Sequence, residues 1–245
     1  MPESIINDTD LALDRHDGNI FVVTLRKAPE NRLNSAYCQK LINAYNTVRR
    51  LLGTDSEGAV ITKGNDAKFW CTGLELDEAD TNPHANSEGF FPLLATLVDF
   101  PFPTIACITG HTFGGAGPFA LSHDYRVMNS KRGFFSMPPV NLGLHFPGIG
   151  ALIRLKLHPK VARKMLLEAH RWTGEEALKD GIVDAIAEPA NMFDEALMIA
   201  RQWAPKAKMG VYSLLRNELY GEAGKAFREI SYRTTPKDRP AKAKI

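Results

Sequence analysis

Thr104-Ile105-Ala106-Cys107-Ile108-Thr109-Gly110-His111-Thr112-Phe113-Gly114-Gly115-Ala116-Gly117 runs a β-branched apolar stretch straight into a cluster of glycines. The apolar part reads as a buried strand over Thr104–Thr109, and a short helix is expected near Gly117–Ser122. Glycine permits left-handed or close-approach backbone, so N–H groups can point outward instead of into a ladder. A helix beginning just beyond adds unpaired donors and the positive end of its dipole. A segment of the same kind lies upstream, Lys68-Phe69-Trp70-Cys71-Thr72-Gly73-Leu74-Glu75-Leu76, shortly after a strand at Ala59–Thr62. Two such turns facing one pocket can hold one oxygen anion between two N–H groups. Helix–sheet packing and a phosphate turn compete for the same glycines. A P-loop is excluded because no Gly-Lys-Ser/Thr follows. Gly115, Gly117 and Ala120 fit the looser dinucleotide pattern, but no Asp or Glu occurs between Asp124 and Glu168 to hold a ribose.

Working outward, Ile20–Leu25 reads as another strand and Ser35–Leu52 as an amphipathic helix, with Asn34 or Ser35 as its cap. A helix over Glu88–Val98 and a strand at Tyr125–Met128 complete an alternation of strand and helix. That alternation predicts α/β units with a largely parallel sheet. The second half is expected to be mainly helical, over Gly150–Leu157, Val161–Ala169, Gly174–Asp180, Met192–Ala204 and Lys208–Glu222. Asp80–Glu88, polar and directly after the first turn, reads as a mobile loop.

The chain has 245 residues, 44% hydrophobic and 24% charged, within the range of a soluble globular enzyme built on one generous domain. With 30 basic against 28 acidic residues, no global field calls for nucleic acid. The basic excess is local, from Lys225, Arg228, Arg233, Lys237, Arg239, Lys242 and Lys244, a solvated tail or an aid in attracting a phosphorylated ligand. Cys38, Cys71 and Cys107 are sparse and odd in number, which argues for a reducing compartment and against metal or disulfide roles. The start MPESIINDTD does not read as a signal peptide. The longest apolar candidate, around Phe90–Phe102, is broken by Pro92, Asp99 and Pro101, so no membrane segment is expected.

Trp70–Leu76 resembles the first oxyanion segment of the enoyl-CoA hydratase/isomerase (crotonase) superfamily, and Gly110–Asp124 resembles its second. Asn141-Leu142-Gly143-Leu144 resembles the substrate wall that follows. Arg171–Ala177 together with Gly181–Asp184 resembles the family's helix–turn–helix signature. The nearest branch is that of peroxisomal Δ3,Δ2-enoyl-CoA isomerases of plants and fungi, through His123–Met128 and Arg132-Gly133-Phe134. The resemblance implies a ββα superhelix (spiral) core over 1–190, a helical trimerisation region over 191–235, and a flexible tail over 236–245. It implies an acyl-CoA thioester substrate, with coenzyme A as part of that substrate and no separate cofactor or metal. The N–H groups of Leu74 and Gly115 would form the oxyanion hole. Thr72, Gly73, Glu75, Leu76, Gly114, Pro118, Pro139 and Asn141 would line the substrate.

The family's proton-transfer positions depart from pattern. Hydratases use two glutamates, a base for the water and an acid for the α-carbon. At those positions this chain has Pro118 and Pro139, and an alternative isomerase position corresponds to Pro147. Proline carries no proton, so a two-glutamate hydratase is disfavoured. His145, just beyond the substrate wall, is the acid/base candidate, because an imidazole titrates near neutrality. Glu75 and Asp77 read rather as caps of the following helix, and His111 and Asp124 as structural. Double-bond isomerisation of enoyl-CoA thus leads. The alternatives are an acyl-CoA hydrolase, decarboxylase or hydratase on the same scaffold, or a CoA-ester-binding pseudoenzyme. A homotrimer or dimer of trimers is implied, and the ending Ala243-Lys244-Ile245 resembles a peroxisomal signal.

Overall fold

The computed structural model describes residues 2–233. Strands β1 (Glu3–Asn7), β2 (Leu11–Asp17) and β3 (Ile20–Leu25) form an antiparallel meander, followed by helix α1 (Ser35–Leu52). From there the chain coils in repeating units. Strand pairs β4 (Ala59–Gly64) and β5 (Phe69–Cys71), β6 (Thr104–Ile108) and β7 (His111–Phe113), and β8 (Tyr125–Asn129) and β9 (Phe135–Ser136) each split between two sheets. The first strand of each pair joins a seven-stranded sheet in the order β1-β2-β3-β4-β6-β8-β10, where β10 is Ala185–Ala187. The second joins a three-stranded parallel sheet, β5-β7-β9. Helices α2 (Glu78–Thr81) and α3 (Phe91–Val98) close the unit after β5, and α4 (Ala116–Leu121) closes the unit after β7. The result is the ββα spiral.

Both faces of the large sheet are covered, which explains why its parallel strands β3, β4 and β6 are mainly apolar and buried along nearly their whole length. In β3, Phe21, Val23 and Leu25 enter the main core with α1, α3 and α4. Ile20 and Val22 face the other way, against Ala196, Ile199 and Ala200 of α8 (Met192–Trp203). Helices α5 (Ala151–Lys156), α6 (Pro159–Leu167) and α7 (Gly174–Lys179) lie between β9 and β10, and α9 (Val211–Arg233) ends the described chain. The Asn34 side chain accepts the Tyr37 N–H at 2.8 Å and starts α1. Thr173 and Glu176 form a reciprocal capping box on α7, within the Arg171–Ala177 signature.

Two expectations change in detail. Asp80–Glu88 is not a featureless loop, since α2 begins at Glu78 and a wide helical turn over Asn86–Phe90 leads into α3. Gly89 holds that turn against α1, because a Cβ there would fall 2.6 Å from the Ser35 Cα. The last helix starts at Val211 rather than Lys208, after a tight turn over Ala204–Ala207, and continues past Glu222. The tail over 236–245, with its Ala243-Lys244-Ile245 ending, lies outside the described residues. Among the described residues, no helix is long and apolar enough to cross a membrane.

Candidate active site

The first glycine turn leaves the small sheet at Cys71 and is held along its length by residues 30–34. Thr72 donates its N–H to the Glu30 carbonyl at 3.1 Å and its hydroxyl to the Glu30 carboxylate at 2.8 Å. Leu33 donates to the Gly73 carbonyl at 2.7 Å and accepts from the Glu75 N–H at 2.9 Å. That pattern is a parallel bridge centred on Leu74, and it turns Leu74's own N–H away from Leu33. Gly73 sits at φ +92°, a conformation that favours glycine.

The second turn leaves β7, the neighbour of β5 in the same sheet. Gly114, at φ +56°, donates its N–H to the Ser136 carbonyl of β9 at 3.0 Å, and Gly115 then opens α4. The two turns abut. A Cβ at Gly73 would lie 2.7 Å from the Phe113 carbonyl oxygen and 2.9 Å from the Gly115 nitrogen. A Cβ at Gly115 would lie 3.0 Å from the Leu74 side chain and 3.3 Å from the Phe90 ring. Among the described residues, the N–H groups of Leu74 and Gly115 have no hydrogen-bond acceptor. Two unpaired backbone donors thus sit on adjoining turns with buried Phe90 behind them.

The side chains around these donors are mostly occupied. Glu75 pairs with Lys27 and accepts from the Asn34 amide at 2.8 Å. Burial opposes its ionisation, but the bonds from Lys27 and Asn34 outweigh that and hold the carboxyl below the usual glutamate range. It ties the first turn to the start of α1 rather than capping α2, and Asp77, at the N-cap of α2, makes no side-chain cap bond. Cys71 is buried and its thiol is pushed up to about 12, which suits packing and not nucleophilic attack. His111 accepts the Phe134 N–H on Nδ1 at 3.2 Å, and burial beside Lys68, Arg132 and Arg171 lowers its pKa.

Pro118 is buried within the first turn of α4, and its carbonyl accepts from the Ser122 N–H and hydroxyl at 2.9 and 2.8 Å. Pro139 begins a tight turn over Pro139–Leu142, which closes on Gly143 at φ +62°. Asn141 and His145 lie exposed on this segment, and Leu76 lies exposed beyond the first turn. The fold therefore brings Thr72, Gly73, Leu74, Glu75, Gly114 and Gly115 together. Pro139, Asn141 and His145 stand on the separate segment after β9. Phe90 and Leu33 were not among the residues singled out from sequence. Nothing local marks them, since Leu33 acts through one backbone bridge and Phe90 reaches Gly115 only through the path of α3.

A spiral of ββα units with two glycine turns meeting at the edge of its small sheet defines the crotonase class. The chain belongs to the enoyl-CoA hydratase/isomerase family, whose model matches residues 15–226. It is 31% identical over 217 residues to enoyl-CoA delta isomerase 3 of Arabidopsis thaliana, covering 84% of this chain and 90% of that protein. It is also 31% identical over 222 residues to the peroxisomal enoyl-CoA delta isomerase 2 of the same plant, with the same coverage of 84% and 90%. A solved enoyl-CoA hydratase from Mycobacterium marinum shares the fold, with a TM-score of 0.81 at 23% identity over 91% of this chain and 96% of that one. The family processes acyl-CoA thioesters by isomerase or hydratase chemistry.

Proposed function

We propose that this chain is an enoyl-CoA Δ3,Δ2-isomerase that binds the thioester oxygen between the N–H groups of Leu74 and Gly115. The observation that carries the reading is the pair of unpaired backbone donors on abutting turns. Proton removal beside a thioester carbonyl produces an enolate, and fixed donors stabilise that charge more than the ground state. Isomerisation then needs one group to carry a proton between C2 and C4. The chain has no carboxylate between Asp124 and Glu168, and His145 is the one histidine between Asp124 and Leu157. In this reading His145 is the proton carrier, with Thr72, Gly73, Gly114, Pro118, Pro139 and Asn141 shaping the acyl and pantetheine path.

Pro118 and Pro139 favour isomerisation over hydration, because a hydratase needs two proton-transfer groups. The same absence keeps thioester hydrolysis, decarboxylation and simple CoA-ester binding as the competing readings. Incubation with 3-enoyl-, 2-enoyl- and saturated acyl-CoA separates them when isomerisation, hydration and free thiol are followed together. The expected result is isomerisation that is lost in His145→Ala and retained in Glu75→Gln. Full activity in both variants would remove both residues from proton transfer, and acyl-CoA binding without turnover of any ester would support the binding protein. The relatives named peroxisomal support a peroxisomal address. The family resemblance supports a homotrimer or dimer of trimers.

A further inference from the structure

A cavity of about 510 Å³ lies between β8, α5 and α9, and none of its lining residues belongs to the glycine turns. Five charged side chains line it, and four of them are already paired. Arg216 of α9 binds Asp124 at 2.7 Å, and Arg126 of β8 binds Asp184 at 2.9 Å. Lys156, the last residue of α5, is the fifth. Its Nζ donates to the His123 carbonyl at 2.8 Å and lies 4.3 Å from the centre of the Tyr220 ring. Among the described residues, no carboxylate stands within ion-pair distance of it.

A half-buried amine flanked by two arginines and lacking its own carboxylate is poorly placed to keep a charge. Burial first, then Arg126 and Arg216, pull the ammonium down to about 7, while Asp124 and Asp184 oppose the shift. The phenols of Tyr125, Tyr212 and Tyr220 facing the cavity are pushed up by burial and stay neutral, so they add no charge to hold the proton. Leu215 and Leu219 on the α9 side of the cavity are 62% and 63% exposed, which gives it an apolar mouth open to solvent. A desolvated lysine beside other cations is the setting in which this side chain becomes a nucleophile.

We propose that Lys156 is a selective acylation site, taking the acyl group of a small thioester onto its side-chain nitrogen. The choice of a thioester as electrophile rests on the acyl-CoA reading of the family site. In the step, the Nζ lone pair forms a bond to the thioester carbonyl carbon and the carbon–sulfur bond breaks. The sulfur leaves as the free thiol with the proton shed by nitrogen, so amine and thioester become amide and thiol. The amide removes the one cation of the cavity that has no carboxylate. Lys40 and Lys131 provide internal comparisons, since their bonds to Asp10 and Asp8, and to Glu188, raise their pKa and retain the proton.

The test uses the full chain and a CoA-free probe, the acetyl thioester of N-acetylcysteamine, with site occupancy read by peptide mass spectrometry from pH 6 to 9. Lys156 is expected to label about tenfold or more faster than Lys40 and Lys131 at pH 7.5. Its rate should climb about tenfold between pH 6 and 8 and then level, while those of Lys40 and Lys131 keep rising. Labelling of Lys156 no faster than Lys40, or a rate that rises without levelling, would overturn the proposal. Because the probe carries no CoA, selective labelling supports the site even if 3-enoyl-CoA is not turned over. Unselective labelling sinks it even if isomerisation is found.

Discussion

Gly115 is where the chemistry of the site meets its sterics. Its nitrogen is unpaired, and a Cβ at that position would press on Leu74 at 3.0 Å and Phe90 at 3.3 Å. Alanine needs only a small shift of flexible side chains, whereas a branched residue must displace the Leu74 side chain and the Phe90 ring together. His123 shows a different residue-scale constraint. It is fully buried, with Nδ1–H donating to the Phe119 carbonyl at 2.9 Å and Nε2 accepting from the Thr62 hydroxyl at 2.9 Å. Burial pulls its pKa down to about 3, against an ordinary value near 6.5. Between pH 6.5 and 3 the unfolded chain therefore binds a proton that the folded chain refuses, so stability falls as the pH falls through that window. Denaturant titrations from pH 8 to 4 should show this decline. A His123→Gln variant, less stable at pH 8 for want of the buried bonds, should show a shallower one. An equal slope in both would assign acid sensitivity to other groups.

At the scale of elements, the sequence was legible where one element could be read by itself. The apolar spacing of Leu41, Tyr45, Val48 and Leu52 and the Asn34 cap made α1 plain, and the largely apolar runs of β3, β4 and β6 stood out because both sheet faces are covered. The small sheet was not legible as strands, since β5, β7 and β9 have three, three and two residues and gain their order only from one another. β1 and β2 escaped for a related reason, as an edge ribbon ending in Asp14, Arg15, His16 and Asp17 lacks the apolar run that marks a covered strand. The two site turns were readable through their glycines, but their stapling by Leu33 and Glu30 is long-range and leaves no local mark. The α7 capping box is a local device with a local consequence. Thr173→Ala is expected to cost about 1 kcal/mol by chemical denaturation, and Thr173→Ser much less. Equal losses in the two variants would mean that the methyl group, not the hydroxyl, matters there.

The whole molecule places the family site and the Lys156 cavity in separate parts of one spiral. The small sheet aligns the two glycine turns, while α5 and α9 close over β8. Leu214, Leu215 and Leu219 leave a largely apolar stretch of α9 open, at 68%, 62% and 63% exposure. The assembly we propose is checked by the native mass of the full chain at micromolar concentration. Three or six times the 27.1 kDa chain mass is expected, and a monomer at that concentration would contradict the trimeric reading.

The central claim is that backbone donors at Leu74 and Gly115 stabilise a thioester enolate. The most direct measurement is deuterium incorporation at C2 and C4 of a 3-enoyl-CoA in D2O, comparing the natural chain with a Gly115→Val variant whose folding is verified by circular dichroism and melting temperature. The account expects exchange and isomerisation by the natural chain, and a loss of about 10²-fold or more in the variant. A folded variant that exchanges and isomerises at the natural rate would contradict it.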